Sequence, residues 1–148
     1  MDLAGRRVAV VGLGKSGLAV ARFDECGIDA RCAHIDDQGR RVRREGIDGV
    51  VFVADSQPAR LDANVESMSD LEDNLVENGY ALEKIPLVLQ YNKRDLPGVS
   101  DLTELRAALN PRGAPELEAA AASGRGVFET LKAVSRLALL QLKQGRRA

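Results

Sequence analysis

Three polar residues, Asn92, Lys93 and Asp95, directly follow an apolar run in the stretch "IPLVLQYNKRDLPG", residues 85–98. The run predicts a buried strand, and ligands of open α/β sheets bind at the carboxyl ends of such strands. The Asp95 carboxylate can accept from both the ring N–H and the exocyclic amine of guanine, a pair of donors that adenine does not offer in that arrangement. We therefore expect guanine recognition, with Asn92 bracing neighbouring loops and the Lys93 stem along the base. A plain polar turn is the alternative.

The glycine-rich stretch "VAVVGLGKSGLAV", residues 8–20, allows two interpretations. In one register it reads Gly-x-Gly-x-x-Gly, the spacing of a dinucleotide-binding turn; in the other, Gly-Lys-Ser matches the last three letters of a phosphate-binding P-loop. Ala9 stands where the P-loop requires its first glycine, so the short dinucleotide-like turn fits better. In either register we expect phosphate to bind at the amino terminus of a helix. The residues concerned are Gly12, Gly14, Lys15, Ser16 and Gly17.

Composition limits the classes of protein to consider. A chain of 148 residues with 45% hydrophobic residues is long enough for one domain, residues 1–148. Its 21 basic and 22 acidic residues nearly cancel, so no field of one sign is available to hold nucleic acid or an anionic membrane. The sequence has neither a membrane-spanning apolar run nor a secretion signal. With two isolated cysteines, these features favour a soluble, cytoplasmic protein.

Short apolar runs alternate with amphipathic segments, which predicts a three-layer α/β fold with a mainly parallel five-stranded sheet and helices on both faces. Strands are expected at "RRVAVVG", "ARCAHID", "GVVFVADS", "PLVLQYN" and "ELEAAAAS". Helices are expected at residues 15–26, 61–75, 102–109 and 127–143, with Ser100 capping the third. The inward residues of the second helix would be Leu61, Val65, Met68, Leu71 and Leu75. Those of the last would be Val127, Phe128, Leu131, Val134 and Ala138.

Residues 47–143 resemble the second half of MglA-type bacterial small GTPases, a Ras-like family that sets cell polarity. The matching stretches are "GIDGVVFVADSQPARLDANVESM", "LVLQYNKRDLPGV", "ALNPRGAP" and "SGRGVFETLKAVSRL". The resemblance implies that Asn92, Lys93 and Asp95 contact guanine and that the backbone N–H of Ala121 faces the guanine oxygen. It also implies GTP and GDP as ligands, Mg²⁺ as the cofactor of bound GTP, and a GTPase-activating or polarity protein as a partner.

Residues 1–38 are similar to a different family. The start "MDLAGRRVAVVGLGKSGLAVARF" resembles MurD-type peptidoglycan ligases, whose Rossmann-like first domain holds the UDP part of the substrate. Asp36 lies 19 residues after Gly17, where a ribose-binding carboxylate is expected. In a Ras-like fold, Asp36 and Gly39 would instead form an Asp-x-x-Gly motif, with Ser16 and Asp36 as the Mg²⁺ site. The stretch "DDQG" is equally compatible with a plain turn.

The chain departs from the Ras-like pattern before Asp36. Between the first helix and the strand at Asp36 there is no room for a switch I loop with its magnesium-binding Thr. We therefore expect a guanine-nucleotide-binding, small GTPase-like protein whose GTP hydrolysis is weak or absent; if it is an enzyme, it is a GTP hydrolase. One alternative is a Rossmann-like module that binds NAD or a UDP-sugar. Another is a non-catalytic interaction protein that keeps a GTPase-like surface.

Overall fold

The computed structural model describes residues 6–12, 18–24, 27–31, 47–77 and 79–145. In these ranges the strands are β1 (Arg6–Gly12), β2 (Leu18–Asp24), β3 (Gly27–Arg31), β4 (Gly49–Asp55), β5 (Leu87–Asn92) and β6 (Glu116–Glu118). They form one sheet in the order β3-β2-β1-β4-β5-β6. The helices are α1 (Leu61–Glu77), α2 (Leu102–Leu109) and α3 (Val127–Gly145).

The sheet has a parallel half and an antiparallel edge. β1 runs parallel to β4, β4 to β5 and β5 to β6, so the carboxyl ends of these four strands share one edge. β2 pairs antiparallel with β1, and β3 antiparallel with β2. The predicted number of five strands is therefore wrong: the described residues contain six, and one of them, β2, runs opposite to the other five.

The amino-terminal part corrects two further expectations. The helix predicted at residues 15–26 is wrong at residues 18–24, which form β2. The seven letters "LAVARFD" are too few for periodicity to separate helix from strand, and pairing with β1 gives the backbone of β1 hydrogen-bond partners on its second edge. Of the strand expected at residues 30–36, only Ala30 and Arg31 are described, at the end of β3 (Gly27–Arg31), and residues 32–36 lie outside the described residues. Asp36 and Gly39 lie outside the described residues.

Two apolar clusters make the predicted three layers. Val50, Phe52 and Ala54 of β4 pack with leucines of α1 and α2 on one face of the sheet. Val51, the next residue in the alternation, packs with Val134 of α3 on the other face. The strands expected at "GVVFVADS", "PLVLQYN" and "ELEAAAAS" are confirmed, and so are the last three helices. None of the helices within the described ranges combines the length and apolar content needed to cross a membrane.

Two residues that were expected to face the core are exposed, and one helix is capped by a different residue than expected. Val65 is 45% exposed on α1, while Asn64 beside it is fully buried. Phe128, in the first turn of α3, is 71% exposed. Asp101 rather than Ser100 caps α2, its side chain accepting from the backbone N–H of Thr103 at 2.7 Å.

Ser100 does not cap α2, because this residue is buried and its backbone is hydrogen-bonded to another segment. Its backbone N–H donates to the carbonyl of Ser56 at 2.8 Å, and its side chain is buried. The cap therefore falls on the next residue, Asp101, whose extended backbone and short carboxylate suit that position equally well.

Candidate functional site

The candidate site is built on the carboxyl ends of β4 and β5. The register pairs Asp55 with Asn92, the last residues of the two strands, so their side chains leave the sheet at the same level. The chain continues the pairing for one more step, because the N–H of Ser56 donates to the carbonyl of Asn92 at 3.1 Å. Open α/β sheets bind ligands at this edge.

Lys93 takes a conformation that few residues other than glycine adopt. Its φ is 64°, in the left-handed region, and its Nζ lies 2.8 Å from Oδ2 of Asp55. The Asp55 carboxylate is nearly buried, at 8% exposure, and its Oδ1 accepts from the backbone N–H of Gln57 at 3.0 Å. A buried carboxylate requires such partners, so the ion pair accounts for the direction in which Lys93 points.

Asp55 is a site residue that sequence reasoning missed. Its only signal was an acidic residue at the end of an otherwise apolar strand, "GVVFVADS". Asn64 of α1 holds the backbone of Asp55 in place: Oδ1 of Asn64 accepts from the Asp55 N–H at 3.0 Å, and Nδ2 donates to the Asp55 carbonyl at 2.8 Å.

Asn92 braces two loops, as the sequence predicted. Its Oδ1 accepts from the backbone N–H of Ala121 at 2.9 Å, which ties the loop after β5 to the loop after β6. The structure thus brings Asn92 and Ala121 together. The contact of Ala121 with guanine stays a prediction, and in this structure its N–H is bonded to Asn92.

Asp95 is exposed beside the braced loops. Within residues 47–77 and 79–145, its carboxylate makes no hydrogen bond or ion pair. An exposed carboxylate without such partners presents both oxygens to solvent and can accept two hydrogen bonds in one plane. The chain between Lys93 and Asp95 turns tightly, with the N–H of Leu96 donating to the Lys93 carbonyl at 3.1 Å.

The loop after β6 depends on glycine. Gly124 and Gly126 have φ values of 79° and 78°. A Cβ on Gly126 would lie 2.3 Å from the carbonyl oxygen of Glu118, whereas one on Gly124 would meet nothing within 4 Å. The hairpin closes through the N–H of Ala120, which donates to the Arg125 carbonyl at 3.0 Å. This local path brings Ala121 to Asn92.

A polar cluster around Glu116 joins β5, β6 and α2. The Tyr91 hydroxyl and the Asn110 side chain both donate to Oε2 of Glu116 at 2.9 Å, and Arg106 donates to Oε1 at 2.6 Å. Burial opposes ionisation of Glu116, but these three donors outweigh it and hold the pKa of the carboxyl below its usual value. Burial and the neighbouring carboxylate raise the pKa of Tyr91.

The phosphate-binding candidates fall mostly outside the described residues. Gly12 ends β1 and pairs with Val53, so it reaches the same edge of the sheet as Asp55. Gly14, Lys15, Ser16, Gly17 and Asp36 lie outside the described ranges. Among the residues that are described, no three His, Cys, Asp or Glu side chains cluster in a way that could hold a metal ion.

Comparison with known proteins connects this geometry to a relative. The chain is similar to the mutual gliding-motility protein MglA of Myxococcus xanthus (strain DK1622), with 56% identity over 109 residues. These residues are 74% of the chain and 56% of MglA, so the chain spans about half the length of this relative. A stretch of 109 residues includes residues 40–109 whichever end of the chain it lies towards, and thus covers β4, α1, β5 and α2. No family model matches the chain.

The comparison separates the two resemblances seen in the sequence. The resemblance of residues 1–38 to MurD-type ligases is not supported by it, and β2 replaces the helix that such a start requires. The resemblance to MglA is confirmed for most of the chain. Most of this chain is thus similar to MglA, as the resemblance of residues 47–143 predicted.

Proposed function

We propose that the chain binds guanine nucleotide at the carboxyl ends of β4, β5 and β6, with Asn92, Lys93, Asp95 and Ala121 around the base. The observation that carries this proposal is the 2.9 Å hydrogen bond from the Ala121 N–H to Oδ1 of Asn92. It holds the loop of Asp95 against the loop of Ala121, so the two groups proposed to contact guanine are already held near each other. On binding, the guanine oxygen would take the place of Asn92 Oδ1 as the acceptor of the Ala121 N–H, while the positions of the two loops are already set and cost less entropy to fix.

The base selectivity follows from hydrogen-bond chemistry. Guanine offers a ring N–H and an exocyclic amine side by side, and the exposed carboxylate of Asp95 can accept from both. The Lys93 ammonium is held by Asp55, which leaves its aliphatic stem to lie along the base. Adenine would leave the carboxylate facing an acceptor, which disfavours it.

Phosphate binding would fall to Gly12, Gly14, Lys15, Ser16 and Gly17. Because residues 18–24 are a strand, these residues lack a following helix whose amino terminus would attract phosphate in that range. Affinity should therefore be modest, with a Kd in the micromolar range or above, about 8 kcal/mol or less of binding free energy. Replacing Lys15 with Ala should weaken binding further, because a charged hydrogen-bond donor contributes roughly 1.5 to 3 kcal/mol.

Mg²⁺ would accompany bound GTP, with Ser16 and Asp36 as its protein ligands. Asp55 already has one carboxylate oxygen on the Lys93 ammonium and the other on the Gln57 N–H, and the adjacent positive charge of Lys93 disfavours a second cation there. Metal positioning and water activation therefore depend on the amino-terminal residues alone, and we expect GTP hydrolysis to be very slow or absent. Release of phosphate from GTP, followed over hours with Mg²⁺, tests this: multiple turnover that disappears in Asp95→Ala would contradict it.

The biological setting follows from the relative. MglA of Myxococcus xanthus is named for gliding motility. We propose that this chain acts in the cytoplasm, in polarity or motility, through a GTPase-activating or polarity partner that recognises its nucleotide-bound form.

Binding of mant-GDP and mant-ADP, measured by fluorescence titration, tests the proposal. The unmodified protein should bind mant-GDP at least about tenfold more tightly, since one good bidentate contact is worth roughly 1 to 3 kcal/mol of discrimination. Asp95→Ala should remove the preference, whereas the matched control Asp73→Ala, on the exposed face of α1, should keep it. Equal affinity for the two nucleotides in the unmodified protein would reject guanine binding.

A further inference from the structure

Arg94 is the one member of the stretch Asn92–Asp95 that is charged yet largely covered. Its side chain is 12% exposed, whereas that of Lys93 is 45% exposed and Asp95 is open to solvent. An Arg side chain loses much rotamer freedom when it is fixed in this way, so its contacts must compensate for that loss. No motif of the sequence predicts a role for this position.

The contacts of Arg94 reach two other segments. Nε donates to Oε2 of Glu118 at the end of β6, at 2.9 Å, and Nη1 donates to the carbonyl of Ser100 before α2, at 2.7 Å. The backbone N–H of Arg94 donates to the carbonyl of Ala119 at 3.0 Å. The planar guanidinium offers donors in fixed directions, so these contacts set the orientation of the side chain as well as its position.

The segments that Arg94 joins are those that carry the proposed base contacts. Glu118 and Ala119 lie two to three residues before Ala121, and Asp95 directly follows Arg94. The Asn92–Ala121 hydrogen bond fixes one point of this arrangement, and the Arg94 contacts fix a second. Two points of attachment define the spacing between the loops and also their relative rotation.

Resting on the proposed function, we infer that Arg94 is a positioning residue for guanine selectivity: it sets the plane of the Asp95 carboxylate relative to the backbone of Ala121. It does not touch the nucleotide. Its effect is therefore on how well the carboxylate meets the ring N–H and the exocyclic amine of guanine at the same time. Inosine nucleotide lacks that amine and serves as the probe.

The test is the ratio of the IDP and GDP dissociation constants, measured by displacement of mant-GDP. The unmodified chain should prefer GDP, and Arg94→Ala should reduce the IDP/GDP ratio by about three- to tenfold, within the range of coupling found inside one hydrogen-bond network. The control Arg112→Ala also loses two charged contacts, to Glu72 and Glu83, and should keep the ratio within about twofold. Asp95→Ala should change GDP affinity less in the Arg94→Ala background than in the unmodified chain.

The outcomes separate a failure of the positioning role of Arg94 from a failure of the proposed guanine binding. An unchanged ratio in Arg94→Ala, or equal effects of Asp95→Ala in both backgrounds, would overturn the positioning role while leaving guanine binding intact. An unmodified chain that does not prefer GDP to ADP would overturn both the proposed function and this inference. Should Arg94→Ala fail to fold, Glu118→Gln weakens the Arg94–Glu118 contact without removing the Arg. An unchanged IDP/GDP ratio in Glu118→Gln would then overturn the positioning role of Arg94.

Discussion

At the scale of single residues, the site depends on asparagine side chains that pair with backbone as a neighbouring strand would. Asn64 donates to and accepts from the backbone of Asp55, and Asn110 does the same for Ala114, with both of the latter bonds at 2.8 Å. Each side chain satisfies one N–H and one carbonyl that the sheet leaves unpaired. Sequence periodicity missed Asn64, because a polar residue inside an apolar stripe has no signature of its own.

Asn64→Ala should destabilise the protein by about 2 to 4 kcal/mol, because it leaves the buried N–H and carbonyl of Asp55 without partners. Urea unfolding at neutral pH measures the change. Glu66→Ala, at an exposed position of the same helix, is the control and should stay within about 0.5 kcal/mol. Similar losses in the two variants would mean that the contacts of Asn64 are not what holds the end of β4.

At the scale of elements, the turn from β6 into α3 is the most demanding connection near the site. Gly124 and Gly126 share the same backbone region, but only Gly126 approaches another backbone atom, the carbonyl of Glu118. The two glycines of "SGRG" therefore separate the effect of a positive φ from the effect of close packing. The Thr130 hydroxyl donates to the Gly126 carbonyl at 2.7 Å and fixes the start of the helix.

Gly126→Ala should destabilise the protein by about 3 kcal/mol or more, because its Cβ would overlap with backbone that cannot move away. Gly124→Ala should cost only about 1 to 2 kcal/mol, the penalty for the left-handed conformation alone. Thermal unfolding of both variants gives the comparison. If Gly124→Ala lost as much stability as Gly126→Ala, the close approach to Glu118 would not be the cause.

The polar cluster that joins β5, β6 and α2 makes stability depend on pH. Because the folded pKa of Glu116 is held below its unfolded value, its contribution is present at neutral pH and is lost as the pH falls through the acidic range. Glu116→Gln should be less stable than the parent at pH 7, and the difference should shrink below about pH 4.5, the ordinary value for this carboxyl. Urea midpoints measured from pH 7 to pH 3 test this, with exposed Glu104→Gln as control; a constant difference across the range would contradict it.

At the scale of the whole molecule, the two parts of the chain were predictable to different degrees. From residue 47 onward the continuous, β-branched apolar run of "GVVFVADS" indicates a buried strand, and the spacing of the leucines that follow indicates a helix. Residues 18–24 have no such constraint: the sequence "LAVARFD" suits a helix or a strand, and pairing with β1 decides between them. The exposure of Phe128 could not be predicted from the sequence either, because the direction of a side chain in the first turn depends on where the helix meets the sheet.

The candidate site likewise contains residues that the sequence predicted and residues that it did not. Asn92 and Asp95 were identifiable because a polar motif after a buried strand has a defined position at the edge of the sheet. The partners that fix the motif, Asp55 and Arg94, were not, since they act through contacts between loops distant in sequence. Asp95 is the residue on which the proposed guanine recognition depends, and Asn at this position changes the hydrogen-bonding groups without changing the shape of the side chain.

Asp95→Asn is the most direct measurement of guanine recognition, with GDP and XDP titrated against the parent and the variant. Xanthine carries a carbonyl where guanine carries its amine, so an amide at residue 95 can donate to xanthine while the carboxylate accepts from guanine. The account predicts that the parent prefers GDP and that the variant prefers XDP, with each preference at least about tenfold for a contact of roughly 1 to 3 kcal/mol. A parent and variant with the same order of preference for the two nucleotides would contradict the assignment of the site.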